Sequence, residues 1–204
     1  MNNIKEIVAR YINDHCIERP EPGTFFLGKM AGTRYSSQYY LSRLLYNTEL
    51  MSMISMEFIK IVEKEIGHWN FQLCGREWSA IPLLISLSTN LRNEGHDINA
   101  FMIRRKRKTY GTHTFIEGKP NDLPVLIVDD LCNSTDSFRH CAKVCELYEI
   151  EVMPVIFAIM NKYRYKQNRE EHPEYFDRYL GKEYRALSIL TADDLNHADT
   201  TEQK

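Results

Sequence analysis

Three short stretches of this 204-residue chain combine residue types that do chemistry when a fold brings them together. In the first, the apolar run Val125-Leu126-Ile127-Val128 meets Asp129-Asp130, then Leu131-Cys132 and the polar run Asn133-Ser134-Thr135-Asp136-Ser137. Four consecutive apolar residues of this kind read as a buried strand, which puts two adjacent carboxylates at its tip. Carboxylates so placed repel one another and lose hydration, a cost that a cation or a polyhydroxyl ligand offsets. The polar run opens a helical pattern, where free amides and the positive end of the dipole can hold phosphate. The plainer reading of the same residues is a pair of loop acids followed by an ordinary Ser/Thr cap. The second stretch is five consecutive basic residues, Arg104 to Lys108, followed by Tyr110-Gly111 and Glu117-Gly118. It suits either a polyanion site or a nucleic-acid patch. The third, Leu73-Cys74-Gly75-Arg76-Glu77-Trp78-Ser79-Ala80, joins an apolar run to a helical one.

The elements that must position these stretches alternate along the chain. Ile4, Ile7, Val8, Tyr11 and Ile12 recur at helical spacing, and the turn Pro20 to Gly23 ends that element. Leu50, Met53, Ile54, Ile61 and Val62 mark a second long helix, in which Met51, Met53 and Met56 fill core gaps. Phe71 to Cys74 predicts a strand, Ile81 to Leu91 a helix stopped near Gly95, and Ala100 to Ile103 and Val125 to Val128 two more strands. Phe138, Cys141, Ala142, Cys145 and Tyr148 form the stripe of a further helix, before strands at Val152 to Ile159 and Leu187 to Leu190. Strand and helix in alternation imply right-handed crossovers and a mostly parallel sheet covered on both faces. Ligands of such sheets bind outside the carboxyl ends of the strands, where all three stretches fall.

Composition narrows the classes. The chain is 43% hydrophobic and 26% charged, as a single folded unit requires and a disordered chain does not show. Its net charge of -2, from 26 basic and 28 acidic residues, argues against a dedicated nucleic-acid or membrane-surface binder. Five cysteines without a Cys-x-x-Cys pair indicate buried thiols, and seven scattered histidines lack zinc-ligand spacing. The first residues lack the apolar core of a secretory signal, and no run approaches the roughly 18 apolar residues of a membrane span. A cytoplasmic protein is the expectation.

VLIVDDLCNSTDS resembles the phosphoribosyl pyrophosphate (PRPP) signature of type I phosphoribosyltransferases. Four more segments resemble orotate phosphoribosyltransferase in the right order, namely AGTRYSSQYYLSRLL, LCGREWSAIPLLISLS, FMIRRKRKTYGTHTFIEG and LSILTADDL. The resemblance runs from about Phe25 to Leu195. It implies an α/β fold, a mostly parallel sheet flanked by helices, in one phosphoribosyltransferase-like domain with residues 1–48 as an N-terminal helix and base-binding hood and 49–204 as core. The implied activity is transfer of a 5-phosphoribosyl group from PRPP to a ring nitrogen of a pyrimidine-like base, orotate first, with release of pyrophosphate. By the same resemblance Asp129 and Asp130 orient the ribose, Asn133, Ser134, Thr135, Asp136 and Ser137 hold the 5′-phosphate, and Gly75, Arg76, Trp78 and Ser79 hold pyrophosphate. Arg104, Arg105, Lys108 and Tyr110 fall on a mobile catalytic loop whose lysine reaches the neighbouring subunit's site, which implies a homodimer with shared sites. Lys29, Tyr39 and Tyr40 fall on the base-binding segment. Magnesium is held in the family mainly through PRPP itself.

The pattern is departed from at several positions. Thr135 and Asp136 stand where the phosphate loop usually has glycine, Ser79 and Ala80 where lysine and glycine are usual, and Tyr110 where histidine is usual. Asn161, Lys162 and Arg164 lie near the position of the family's arginine for the orotate carboxylate. These departures keep a second class open, a non-catalytic PRPP- or nucleotide-binding sensor on the same fold; an RNA binder using the basic loop is a third.

Overall fold

The computed structural model describes residues 3–27, 34–109, 111, 114–133, 135–162, 175–179 and 182–195. Helix α1 (Ile4–Tyr11) starts at Asn3, whose side chain accepts the Lys5 amide, and runs on into a π-helical turn, Ile12–Cys16. Two short ribbons follow: β1 (Ile17–Glu18) pairs with β4 (Gln38–Tyr39), and β2 (Phe26–Leu27) with β3 (Arg34–Tyr35). Helix α2 (Ser42–Leu45) leads to α3 (Thr48–Glu65), capped by the Asn47 side chain on the Leu50 amide. The remaining order is β5 (Gln72–Arg76), α4 (Ala80–Asn93), β6 (Ala100–Ile103), β7 (Ile116–Glu117), β8 (Val125–Cys132), α5 (Asp136–Leu147), β9 (Val152–Asn161), β10 (Tyr175–Tyr179) and β11 (Lys182–Thr191).

These last strands form one seven-stranded sheet in the order β10-β11-β9-β8-β5-β6-β7. The five inner strands run parallel, while β10 and β7 close the two edges antiparallel. After β5 the chain winds outward to β6 and β7, then returns to the other side for β8 and β9. The winding direction therefore reverses between β5 and β8, the place where such sheets open a ligand crevice.

Period-two alternation of apolar residues covers both faces. Leu126 and Val128 pack into a core with α1, α3 and α4, where the Phe58 and Phe157 rings meet edge to face at 4.8 Å. Val125 and Ile127 pack with Phe138, Cys141 and Cys145 of α5 on the opposite face. Beyond the acids the alternation slips by one residue, since Leu131 packs on the first core and Cys132 in the second. Strand β8 is thus longer than its apolar run predicts, and Asp129 and Asp130 lie within its last residues rather than beyond its end. The other predicted elements are present with ends shifted by a few residues. Sequence periodicity did not show β7, β10 or the two ribbons, which are too short or too polar to carry a pattern.

Two buried details fix β5. Gln72, fully buried, donates from its amide to the Asn121 and Leu123 carbonyls and accepts from the Asn99 side chain and the Asn121 amide, so all its polar atoms are satisfied. Gly75 has no room for a side chain: a Cβ there would stand 2.3 Å from Ala80 Cβ and 2.7 Å from the Val128 carbonyl oxygen. All five cysteines are free and buried, as their dispersion suggested. Among the described residues no helix is long and apolar enough to cross a membrane.

Candidate functional site

The carboxyl ends of β5 and β8 bring the first and third stretches together. Ser79, the residue before α4, donates its hydroxyl to Asp129 Oδ1 at 3.1 Å across 50 positions of sequence. Asp129 is 4% exposed, and the same Oδ1 accepts the Asp130 amide at 3.0 Å. Asp130 accepts the Leu131 amide at 2.9 Å. Burial and then the adjacent Asp129 carboxylate push the Asp130 carboxyl up to about 8, so a proton sits on the pair at neutral pH. Burial likewise pushes Cys132 up to about 12, so its thiol stays neutral and unreactive.

The chain enters α5 through Thr135, which adopts φ 60°, ψ 0°. A β-branched residue in the left-handed region is a true outlier, in a conformation that glycine adopts freely. Thr135 therefore holds, with a side chain, a shape that glycine would hold without strain. Thr135 is 2% exposed, and its Oγ1, like Asn133 Oδ1, is buried without a hydrogen-bond partner. Two unsatisfied polar atoms at the start of a 12-residue helix are a cost that a ligand with both donors and acceptors would remove. Asp136 is exposed in the first turn of α5, where negative charge suits the dipole, and Ser137 is half-buried beside it. Ser134 lies outside the described residues.

Gly75 is buried inside β5, where α4 and β8 approach it closely. Arg76 ends β5, half-buried. Trp78, 80% exposed, lines a hollow of about 680 Å³ with Tyr46, Met51, Ile81, Ile85 and Asn90. The peptide between Glu77 and Trp78 is cis.

The basic loop joins β6 to β7 at one edge of the sheet. The Arg104 amide donates to the Phe115 carbonyl at 2.8 Å, and the Lys108 amide to the Thr114 carbonyl at 3.2 Å. The Arg105 amide donates to Glu77 Oε1 at 2.9 Å, tying the loop to the turn after β5. His140 of α5 pairs its Nε2 with the Arg104 carbonyl at 2.8 Å. Lys108 Nζ lies 2.6 Å, and Arg104 Nη1 3.2 Å, from the same Glu117 Oε1. The Lys108 ammonium, with Arg104 behind it, holds the Glu117 carboxyl below the usual carboxylate range. Tyr110 lies outside the described residues.

On the N-terminal side, Tyr39 and Tyr40 part company. The Tyr40 ring lies 5.1 Å from the Arg43 guanidinium carbon, whereas Tyr39 carries the Lys162 ammonium 3.5 Å from its ring centroid. Lys162 follows β9, is 6% exposed, and donates its amide to the Cys132 carbonyl at 2.8 Å. Of Asn161, Lys162 and Arg164, Lys162 thus carries a buried ammonium on an aromatic face, and its amide reaches the end of β8. Asn161 is buried in β9; Arg164 and Lys29 lie outside the described residues. Among the described residues no group of three or more His, Cys, Asp or Glu side chains gathers as metal ligands.

No family model matches the sequence, and no curated protein matches it. Solved structures do. Orotate phosphoribosyltransferase of Mycobacterium tuberculosis H37Rv, solved with Fe(III) dicitrate, matches with a TM-score of 0.70 at 16% identity, over 96% of this chain and 100% of that one. UMP synthase of Leishmania donovani matches with a TM-score of 0.68 at 18% identity, over 94% of this chain and 37% of that longer one. Adenine phosphoribosyltransferase of Trypanosoma brucei, solved with AMP, pyrophosphate and ribose-5-phosphate, matches with a TM-score of 0.63 at 10% identity, over 95% of this chain and 81% of that one. The acid pair at the reversal of winding, the polar turn into α5 and the basic loop at the sheet edge are thus carried on the fold of the type I phosphoribosyltransferases.

Proposed function

We propose that this chain transfers a 5-phosphoribosyl group from PRPP to a ring nitrogen of a pyrimidine-like base and releases pyrophosphate. One observation carries the reading. An acid pair at the carboxyl end of β8, bonded to Ser79 after β5, is followed within five residues by a helix start with two buried, unpartnered polar atoms. Asp129 and Asp130 would take the ribose hydroxyls, and the turn from Asn133 to Ser137 the 5′-phosphate, with the Thr135 hydroxyl donating where a glycine amide usually does. Arg76 and Ser79 would lie along the pyrophosphate. Lys108 and Arg105, closing from the partner chain of a homodimer, would stabilise the charge that develops on the leaving group.

The adjacent carboxyls suit a divalent cation shared with the substrate's own oxygens, and Mg²⁺ bound in this way would neutralise the pyrophosphate charge. Orotate is the first base to test. Its carboxylate would complement the buried Lys162 ammonium over Tyr39, with residues 1–48 acting as the hood over the base. The uncharged hollow lined by Trp78, Tyr46 and Ile85 supports the dimer, because interface cores are depleted in charge and enriched in aromatic residues.

One observation favours the non-catalytic reading, a PRPP- or nucleotide-binding regulator. Ser79 offers a hydroxyl, already donated to Asp129, where the family places a cation. The test is pyrophosphate release from PRPP with Mg²⁺ and a panel of bases, with Lys108→Ala as control. Release with one base and its loss in the variant uphold the enzyme. PRPP binding by calorimetry without release under any base upholds the regulator.

A further inference from the structure

Glu117 sits on the edge strand β7, and its Oε1 receives both Lys108 Nζ at 2.6 Å and Arg104 Nη1 at 3.2 Å. The Arg104 guanidinium is incompletely satisfied even so, because its Nε is buried without a partner. Two cations thus converge on one carboxylate, and one of them keeps a donor in reserve. The backbone beneath them is anchored independently through the Arg104, Arg105 and Lys108 amides and through His140. The side chains can therefore change partner while the base of the loop stays in place.

We infer that Glu117 is a positioning residue: it stands in for the missing polyanion and parks Lys108 on its own chain until pyrophosphate or PRPP draws the lysine away. This rests on the reading of the loop given above. The three side chains are 23–34% exposed, so the pairs are partly screened and weak enough to be exchanged for a ligand of higher charge. The exchange is one of ion pairs only, with no bond made or broken. Arg104 Nε gains its first acceptor in the process, so the bound state satisfies more donors than the parked one.

Two measurements on the full chain test this. In calorimetry with Mg²⁺-pyrophosphate at low salt, Glu117→Gln should bind about 2–5-fold more tightly than the wild type, the scale of one partly exposed ion pair. The gain should vanish in a Lys108→Ala background and fade at high salt, neither of which a merely structural role predicts. Equal or weaker binding by Glu117→Gln overturns the inference. Trypsin supplies a readout without ligand, since the loop offers five consecutive cleavage residues. Glu117→Gln should be cut there several-fold faster at an unchanged melting temperature, and Glu117→Asp should restore most of the protection. If the wild type binds no pyrophosphate, the proposed function fails while the trypsin comparison still decides whether Lys108 is parked. An unchanged cutting rate would sink the parking role by itself.

Discussion

The end of β8 and the basic loop carry the opposite charges of this site, and the structure holds them by different means. Asp129 and Asp130 end a strand that pairs with β5 up to Ile127 and with β9 through to Cys132, with apolar cores above and below. Their position is over-determined, which allows the fold to keep two carboxyls together and one left-handed threonine nearby. Arg104 to Lys108 hang from a two-residue edge strand by a few polar contacts, and Arg105, Lys106 and Arg107 are exposed. Buried placement perturbs ionisation and fixes geometry, while edge placement leaves charge mobile. A site that must first recognise an anion and then close over it has use for both.

Substitutions that move stability on one side but not on the other break or sharpen this contrast. Gly75→Ala should have the largest effect, about 1–3 kcal/mol of destabilisation from overpacking against Ala80 and Val128. A thermal melt within error of the wild type would show that the approach of β5, β8 and α4 is looser than described. Next comes the acid pair. The Asp130 carboxyl titrates at about 8 in the folded chain and near 3.9 when unfolded, so the folded state binds the extra proton between those values. Stability of the ligand-free protein should therefore fall as pH rises from about 4 to 8 and level off above that window. Asp130→Asn should flatten this slope and melt higher than the wild type at about pH 9; parallel profiles of melting temperature would refute the shared proton.

Thr135→Gly should be smaller, a gain of about 1 kcal/mol at most, because relief of the left-handed strain is partly offset by glycine's unfolded-state entropy. Chemical denaturation measures it, and a loss of stability would mean that the Thr135 side chain matters more to packing than its backbone costs. The smallest change belongs to the loop. Lys108→Ala should alter stability by no more than about 0.5 kcal/mol while abolishing pyrophosphate release. Loss of fold in that variant would make the loop a structural element and erase the contrast.

Much of the scaffold was legible because its signals are local. Four apolar residues before two acids announce a buried strand whichever fold contains them, and the stripe from Phe138 to Tyr148 announces a helix. The acid pair, the polar turn and the basic run were equally visible as residue types. The edge strand β7 and the N-terminal ribbons were not, since two-residue strands show no periodicity of their own. Gly75 and Trp78 show what a motif position leaves open: the close approach of Ala80 and Val128 at Gly75, and the hollow that Trp78 lines, both come from packing.

By itself, then, the amino-acid sequence determined the alternation of strands and helices and the identity of the charged groups at their ends, because side-chain period and residue chemistry are properties of neighbours along the chain. Only the tertiary structure decided which of those groups meet. Ser79 reaches Asp129 across 50 positions, Lys108 and Arg104 fold onto Glu117, and Lys162 settles on Tyr39. Such pairings depend on strand order, which arises from packing the whole sheet rather than from any one segment.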